Sequence, residues 1–264
     1  MRIFSYIITS VLLFLGICSV SCADLRVSLR LDPASAIEFE TVTAYVSIVN
    51  DGDEIFTLDE SDKDHSPRFF FIIERKRDER VKRTDERPPI RKMRLMPGER
   101  REFMTDISAF YDITVKGRYV VKAAVEAGTF RYESNPVVLD VVSGIELVSV
   151  TRSIPGYSDR ERKYSLRYNW RGKKEVLYLC VYEDNGKTNY GIFSLGPVIR
   201  VTKPILDIDR SGGVMVIHQT NRDCFVRSKF ESNQDGVFFI DQAYLDVEGK
   251  PYTHVREPAA ASFK

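Results

Sequence analysis

A side-chain period of two restricts this chain more than any other feature. From Leu25 to Leu31 the apolar residues fall at Leu25, Val27, Leu29 and Leu31, and from Val42 to Ile48 at Val42, Ala44, Val46 and Ile48. Successive side chains of an extended strand point to opposite faces, so each set turns an oily face inward while Arg26, Ser28 and Arg30 meet water. No stretch beyond residue 23 sustains apolar residues at helical spacing with recognisable caps. Between the runs stand reversals: Asn50-Asp51-Gly52-Asp53, Pro97-Gly98, Lys116-Gly117, Ala127-Gly128, Ser211-Gly212-Gly213, Asn221-Arg222-Asp223 and Asp235-Gly236. Asn185-Gly186 is the sharpest, because both residues tolerate the positive φ of a two-residue hairpin. Strands recurring about every 8 to 12 residues predict an all-β chain of antiparallel sheets.

Two runs, Phe69–Ile73 and Val176–Tyr182, are apolar without alternation, which predicts strands covered on both faces. Tyr164, Leu166, Tyr168 and Trp170 alternate with Ser165, Arg167 and Asn169. Such an aromatic row could stack on sugar rings, but a sheet core needs the same spacing, and core is the expectation, Trp170 included.

Asp112 to Ala123 reads DITVKGRYVVKA, and the chain then closes with Ser134-Asn135-Pro136 and Val137 to Val142. An acidic residue, a Gly turn, a Tyr opening a strand and a closing apolar strand resemble the last strands of immunoglobulin-like and fibronectin-like β-sandwich modules. The resemblance covers residues 24–142. It implies that Tyr119 is structural, its ring packed inside and its hydroxyl bonding backbone across a corner. The central Trp and bridging cysteines of antibody domains have no counterpart there, and Trp170 lies outside the region.

Ser143-Gly144 is the expected boundary. The chain thus divides into a signal peptide at 1–23, an immunoglobulin-like β-sandwich at 24–142, a second antiparallel β-sheet or sandwich domain at 143–252, and a flexible tail at 253–264. Within the second part, Pro204 to Phe239 resembles one four-stranded propeller blade, although a closed propeller needs far more chain.

The first 23 residues read as an address. Arg2 precedes an apolar run from Ile7 to Ile17, and Ser21 and Ala23 suit a peptidase pocket, so export to the periplasm, envelope or exterior is expected. Lipid anchoring at Cys22 is the lesser alternative, since Ser19 stands where such a signal favours a branched aliphatic residue. Of the four cysteines, Cys180 and Cys224 remain after cleavage, and in an oxidising compartment they either pair or stay as buried thiols.

Chemistry is sparse. His65, His218 and His254 stand in unrelated contexts, and no nucleophile elbow, His-Glu-X-X-His pair, phosphate-cradling loop or Cys-X-X-Cys pair occurs. No enzymatic activity and no cofactor are expected. Asp207, Asp209 and Ser211, ahead of Gly212, form the start of a loop of alternating oxygen ligands, which raises calcium as a candidate against a plain polar turn.

From Glu74 to Arg101 twelve Lys or Arg face six Asp or Glu. Arg75, Lys76, Arg77, Arg80, Lys82, Arg83, Arg91 and Lys92 are candidates for an anionic glycan or surface, with a solvated hairpin as the plainer alternative. Over the whole chain the charges nearly cancel, at +1, which gives no reason to expect a nucleic-acid partner, and no later run is long enough to span a membrane. The reading is a non-enzymatic binding, adhesion or scaffolding protein with a protein or anionic glycan partner. The alternatives are a β-sandwich protease inhibitor presenting Thr84 to Lys92, and a hydrolase accessory domain.

Overall fold

The structure, a computed structural model, describes residues 24–59, 67–76, 79–85, 89–90, 92–157, 159–183 and 188–252. The predicted signal, His65, His254, the Asn185-Gly186 turn and the C-terminal tail lie outside the described residues. Among the described residues the chain is built from strands, apart from one 3-10 turn at Ile107–Ala109. None of their helices is long and apolar enough to cross a membrane.

The N-terminal strands are β1 (Leu25–Asp32), β2 (Ser35–Ile37), β3 (Thr43–Asn50), β4 (Phe56–Asp59), β5 (Arg68–Lys76), β6 (Glu79–Arg80), β7 (Lys92–Leu95), β8 (Arg100–Asp106), β9 (Gly117–Ala127), β10 (Phe130–Glu133) and β11 (Val137–Val142). One sheet runs β1-β3-β8, a second runs β2-β11-β9-β5-β6 with β10 on β9, and β4 pairs with β7. The alternation of the sequence is spent as expected: Val27 and Leu31, Ala44, Val46 and Ile48, Phe69, Phe71 and Ile73, and Tyr119, Val121 and Val125 fill one core. Each such fully buried aliphatic or aromatic side chain contributes about 1.5–3 kcal/mol. The Phe69–Ile73 run differs from expectation, since Phe70 and Ile72 are only half-buried. Tyr119 is fully buried and its hydroxyl donates to the Val115 carbonyl.

The C-terminal strands form two up-and-down meanders. One is β12 (Ile145–Ser153), β13 (Glu161–Arg171), β14 (Lys174–Glu183) and β15 (Asn189–Pro197), and the other is β16 (Ile205–Ile208), β17 (Gly213–Asn221), β18 (Cys224–Ser232) and β19 (Val237–Leu245). The blade-like segment is therefore a four-stranded sheet, packed face to face on its twin. Tyr164, Leu166, Leu177, Leu179 and Val181 of the first meet Val214, Val216 and Phe230 of the second in a shared core.

Strand β14 explains its unbroken apolar run. Leu177, Leu179 and Val181 face the second meander, whereas Val176, Tyr178 and Cys180 face the other way, onto Ile37 of β2. The N-terminal sheets dock there. Asn169 Nδ2 donates to Ser35 Oγ at 3.1 Å, Arg167 donates to the Ser143 carbonyl at 3.0 Å, and Arg171 pairs with the largely buried Glu40. Burial raises the Glu40 pKa, and the Arg171 charge opposes that shift. Gly144 turns the chain at φ +69, where a Cβ would press on Ile37 and Arg167 at 3.3 Å.

The cysteine alternatives resolve here. Cys180 and Cys224 are both free and buried, so the disulfide is not made. Cys180 lies on the face of β14 turned away from the sheet that carries Cys224. Burial pushes the Cys180 thiol up to about 12.

Candidate functional site

The described residues of the basic segment are spread over several elements. Arg75 pairs with Glu79, and Lys92 pairs with Asp59 on a separate small sheet. Arg80 and Lys82 are exposed, and Arg83 bridges to Tyr111. The Val81 amide donates to the Ile73 carbonyl and the Thr84 amide to the Phe110 carbonyl, so this part folds back instead of projecting. Arg77 and Arg91 lie outside the described residues, as does the Lys76 side chain.

At the calcium candidate the geometry is that of a polar turn. Asp209 Oδ1 accepts from the Ser211 amide at 2.8 Å, the Ser211 hydroxyl at 2.7 Å and the Gly213 amide at 2.8 Å. That carboxylate closes its own turn, and these bonds, the Ser211 hydroxyl first, lower its pKa. Asp207 lies exposed, paired in register with Met215 on the outer face. No group of three His, Cys, Asp or Glu able to hold a metal occurs among the described residues. Asp209→Ala is expected to lower the melting temperature, while adding or chelating calcium leaves the wild-type melting curve unmoved. Differential scanning calorimetry checks both.

His218 does not converge with either aspartate. It lies on the inner face of β17, 1 % exposed, whereas Asp207 faces outward. Burial pushes its imidazole down to about 4, and the Pro197 backbone offsets this in part.

The aromatic row splits. Tyr164 and Tyr168 are buried, at 1 % and 5 %, but Trp170 is 51 % exposed, against the expectation that it joins the core. Register places Trp170 opposite Glu175 at the β13–β14 hairpin end, on the face that Tyr168 and Leu177 turn to the second meander. The crossover from β15 to β16 closes the core one step earlier. Val198 is buried there, its amide held by the Glu175 carbonyl at 2.9 Å, and the Ile199 amide is held by the Gln219 carbonyl at 2.9 Å. Arg200 then lays its guanidinium 4.5 Å from the Tyr168 ring centre and grips both Glu175 oxygens, at 2.7 and 2.8 Å. Trp170 is left just beyond this lid.

The result is an open groove of about 850 Å³, walled by Trp170 and Lys174, floored by Pro197 to Ile199 and bounded by Arg200 and Thr220. Its size falls within the range of about 300–1,000 Å³ typical of ligand sites, and its place between two sheets is a common one. No family model matches the chain, and no curated protein does. A second groove of about 640 Å³ is lined in part by Leu58, Met93 and Phe103.

Within the Trp170 groove, Glu175 and Arg200 escaped the sequence reading because their pairing joins strand β14 to a crossover 25 residues later. The Gly172-Lys173-Lys174 turn next to an aromatic was the available signal. One aromatic face, the Arg200–Glu175 ionic fork and two lysines of the hairpin turn line this groove.

Proposed function

We propose that this chain is an exported, non-enzymatic binding protein of two β domains, the first of immunoglobulin-like type, which takes its ligand in the Trp170 groove of the second. The single observation that carries this is a large aromatic ring standing half in water at a position whose alternation would bury it. Leaving that ring wet costs hydrophobic free energy, and a ligand that covers it recovers the loss. The neighbouring Arg200–Glu175 pair is already fixed by stacking and two hydrogen bonds, so little order is lost on binding. The resemblance over residues 24–142 and the signal-like N-terminus support the exported, modular part of the reading.

Trp170 is the chain's one tryptophan, so its fluorescence reports the groove alone. Envelope components retained by the immobilised protein are expected to shift this emission saturably, and Trp170→Ala is expected to lose at least tenfold in retention. An identical set retained by wild type and variant contradicts the proposal.

A further inference from the structure

The groove's lining is not neutral. Lys173, Lys174 and Arg200 stand against one carboxylate, Glu175, and Arg200 already occupies both oxygens of that carboxylate. Two ammonium groups therefore remain, on the exposed hairpin turn beside Trp170. Both lysines line the groove, Lys174 from the strand position opposite Arg171, whose guanidinium is drawn off to Glu40 at the joint with β2.

Three chemistries meet within this one small site. A flat, half-exposed indole offers a face to a ring that carries axial C–H groups, as a sugar does. The Arg200–Glu175 fork is planar and rigid, and it holds donor and acceptor groups at fixed spacing for hydroxyls. The lysines add long, mobile cations that reach an acidic substituent without demanding one geometry.

A neutral sugar would use the first two features and leave the charge unmet, while an acidic peptide would use the third and leave the indole and the fork without a matching plane. Resting on the groove as the binding site, we infer that its ligand is an acidic oligosaccharide, with one ring laid on Trp170 and a carboxylate or sulfate met by Lys173 and Lys174.

The test uses the full mature chain, isothermal titration calorimetry and Trp170 emission. Four probes are compared: a tetragalacturonate, a heparin-derived tetrasaccharide, neutral maltotetraose and a tetraglutamate peptide. At least one acidic sugar is expected to bind about tenfold more tightly than maltotetraose, to shift Trp170 emission, and to weaken as salt is raised. Binding of the galacturonate shows that a carboxylate suffices, and binding of the heparin fragment alone shows that sulfate is needed. The double variant Lys173→Gln, Lys174→Gln is expected to lose about tenfold for that probe and most of the salt dependence, with unchanged melting, since both side chains are exposed.

Equal affinity for maltotetraose overturns the acidic class while the groove stands. Preference for tetraglutamate, or binding of no probe, overturns the saccharide. Binding that leaves Trp170 emission unchanged and survives Trp170→Ala overturns the groove itself.

Discussion

Arg162→Ala is expected to lower the unfolding free energy by about 3–5 kcal/mol, the cost of removing a buried, hydrogen-bonded charge and orphaning its partners. Arg162 is fully buried, and its Nη1 reaches the Ser232 hydroxyl at 2.9 Å, the Asn233 carbonyl at 2.6 Å and the Gly236 carbonyl at 3.0 Å. Its guanidinium also lies 4.0 Å from the Tyr190 ring centre. The partners are carbonyls and a hydroxyl in the β18–β19 turn, so this one side chain of β13 ties the two meanders together at one end. Tyr164 adds a 2.6 Å bond to the same Ser232 hydroxyl.

Without Arg162 the Asn233 carbonyl loses this donor and the Gly236 carbonyl keeps only the Asn233 amide, at 3.0 Å. Gly212, whose Cβ would stand 2.1 Å from the Ser232 carbonyl oxygen, would lose the fixed neighbour it packs on. Arg162→Lys is expected to fail almost as badly, because a shorter side chain ending in an ammonium reaches these carbonyls less well and gives up the stacking on Tyr190. Urea unfolding of both variants checks this, and a midpoint within experimental error of wild type would contradict it.

The second large effect is on acid stability. His218 has its pKa lowered from 6.5 to about 4 by burial. Above pH 6.5 the ring is neutral in the folded and unfolded states alike. Between pH 6.5 and 4 the unfolded chain binds a proton that the fold refuses, so stability falls as pH falls, by about 3 kcal/mol in total. Below the folded pKa the two states bind alike and this contribution levels off. His218→Leu is expected to flatten the unfolding free energy over that window, while carboxylate contributions remain in both proteins and cancel in the difference. Parallel curves for wild type and variant between pH 7 and 4 would show that the ring is not held neutral.

Much of this architecture was legible because burial on a sheet follows local spacing. The alternation at Leu25–Leu31 and the unbroken Val176–Tyr182 run state their environments in their own side chains, and the Gly-bearing reversals separate them. Strand β2 was not legible. It is three residues long and pairs parallel with β11, more than a hundred residues away, so no local period marks it.

The site divides along the same line. Arg162 shares parity with Tyr164, Leu166 and Tyr168, a signal that it points inward, yet a charge is ordinarily assigned to water until its distant carbonyls are known. Trp170 shares that parity too, and was misplaced because its exposure depends on where the β15–β16 crossover seals the facing sheet. The described part of the basic segment, contiguous in sequence, is spread over β5, β6 and β7, with Arg75 and Lys92 each paired to a carboxylate.

Acrylamide quenching of the native protein bears most directly on whether the groove is open. With one tryptophan in the chain, the fold described here predicts red-shifted emission and quenching at roughly half the efficiency seen in the unfolded chain, matching a ring that is 51 % exposed. Blue-shifted emission protected from acrylamide would place Trp170 in a closed core and contradict the account.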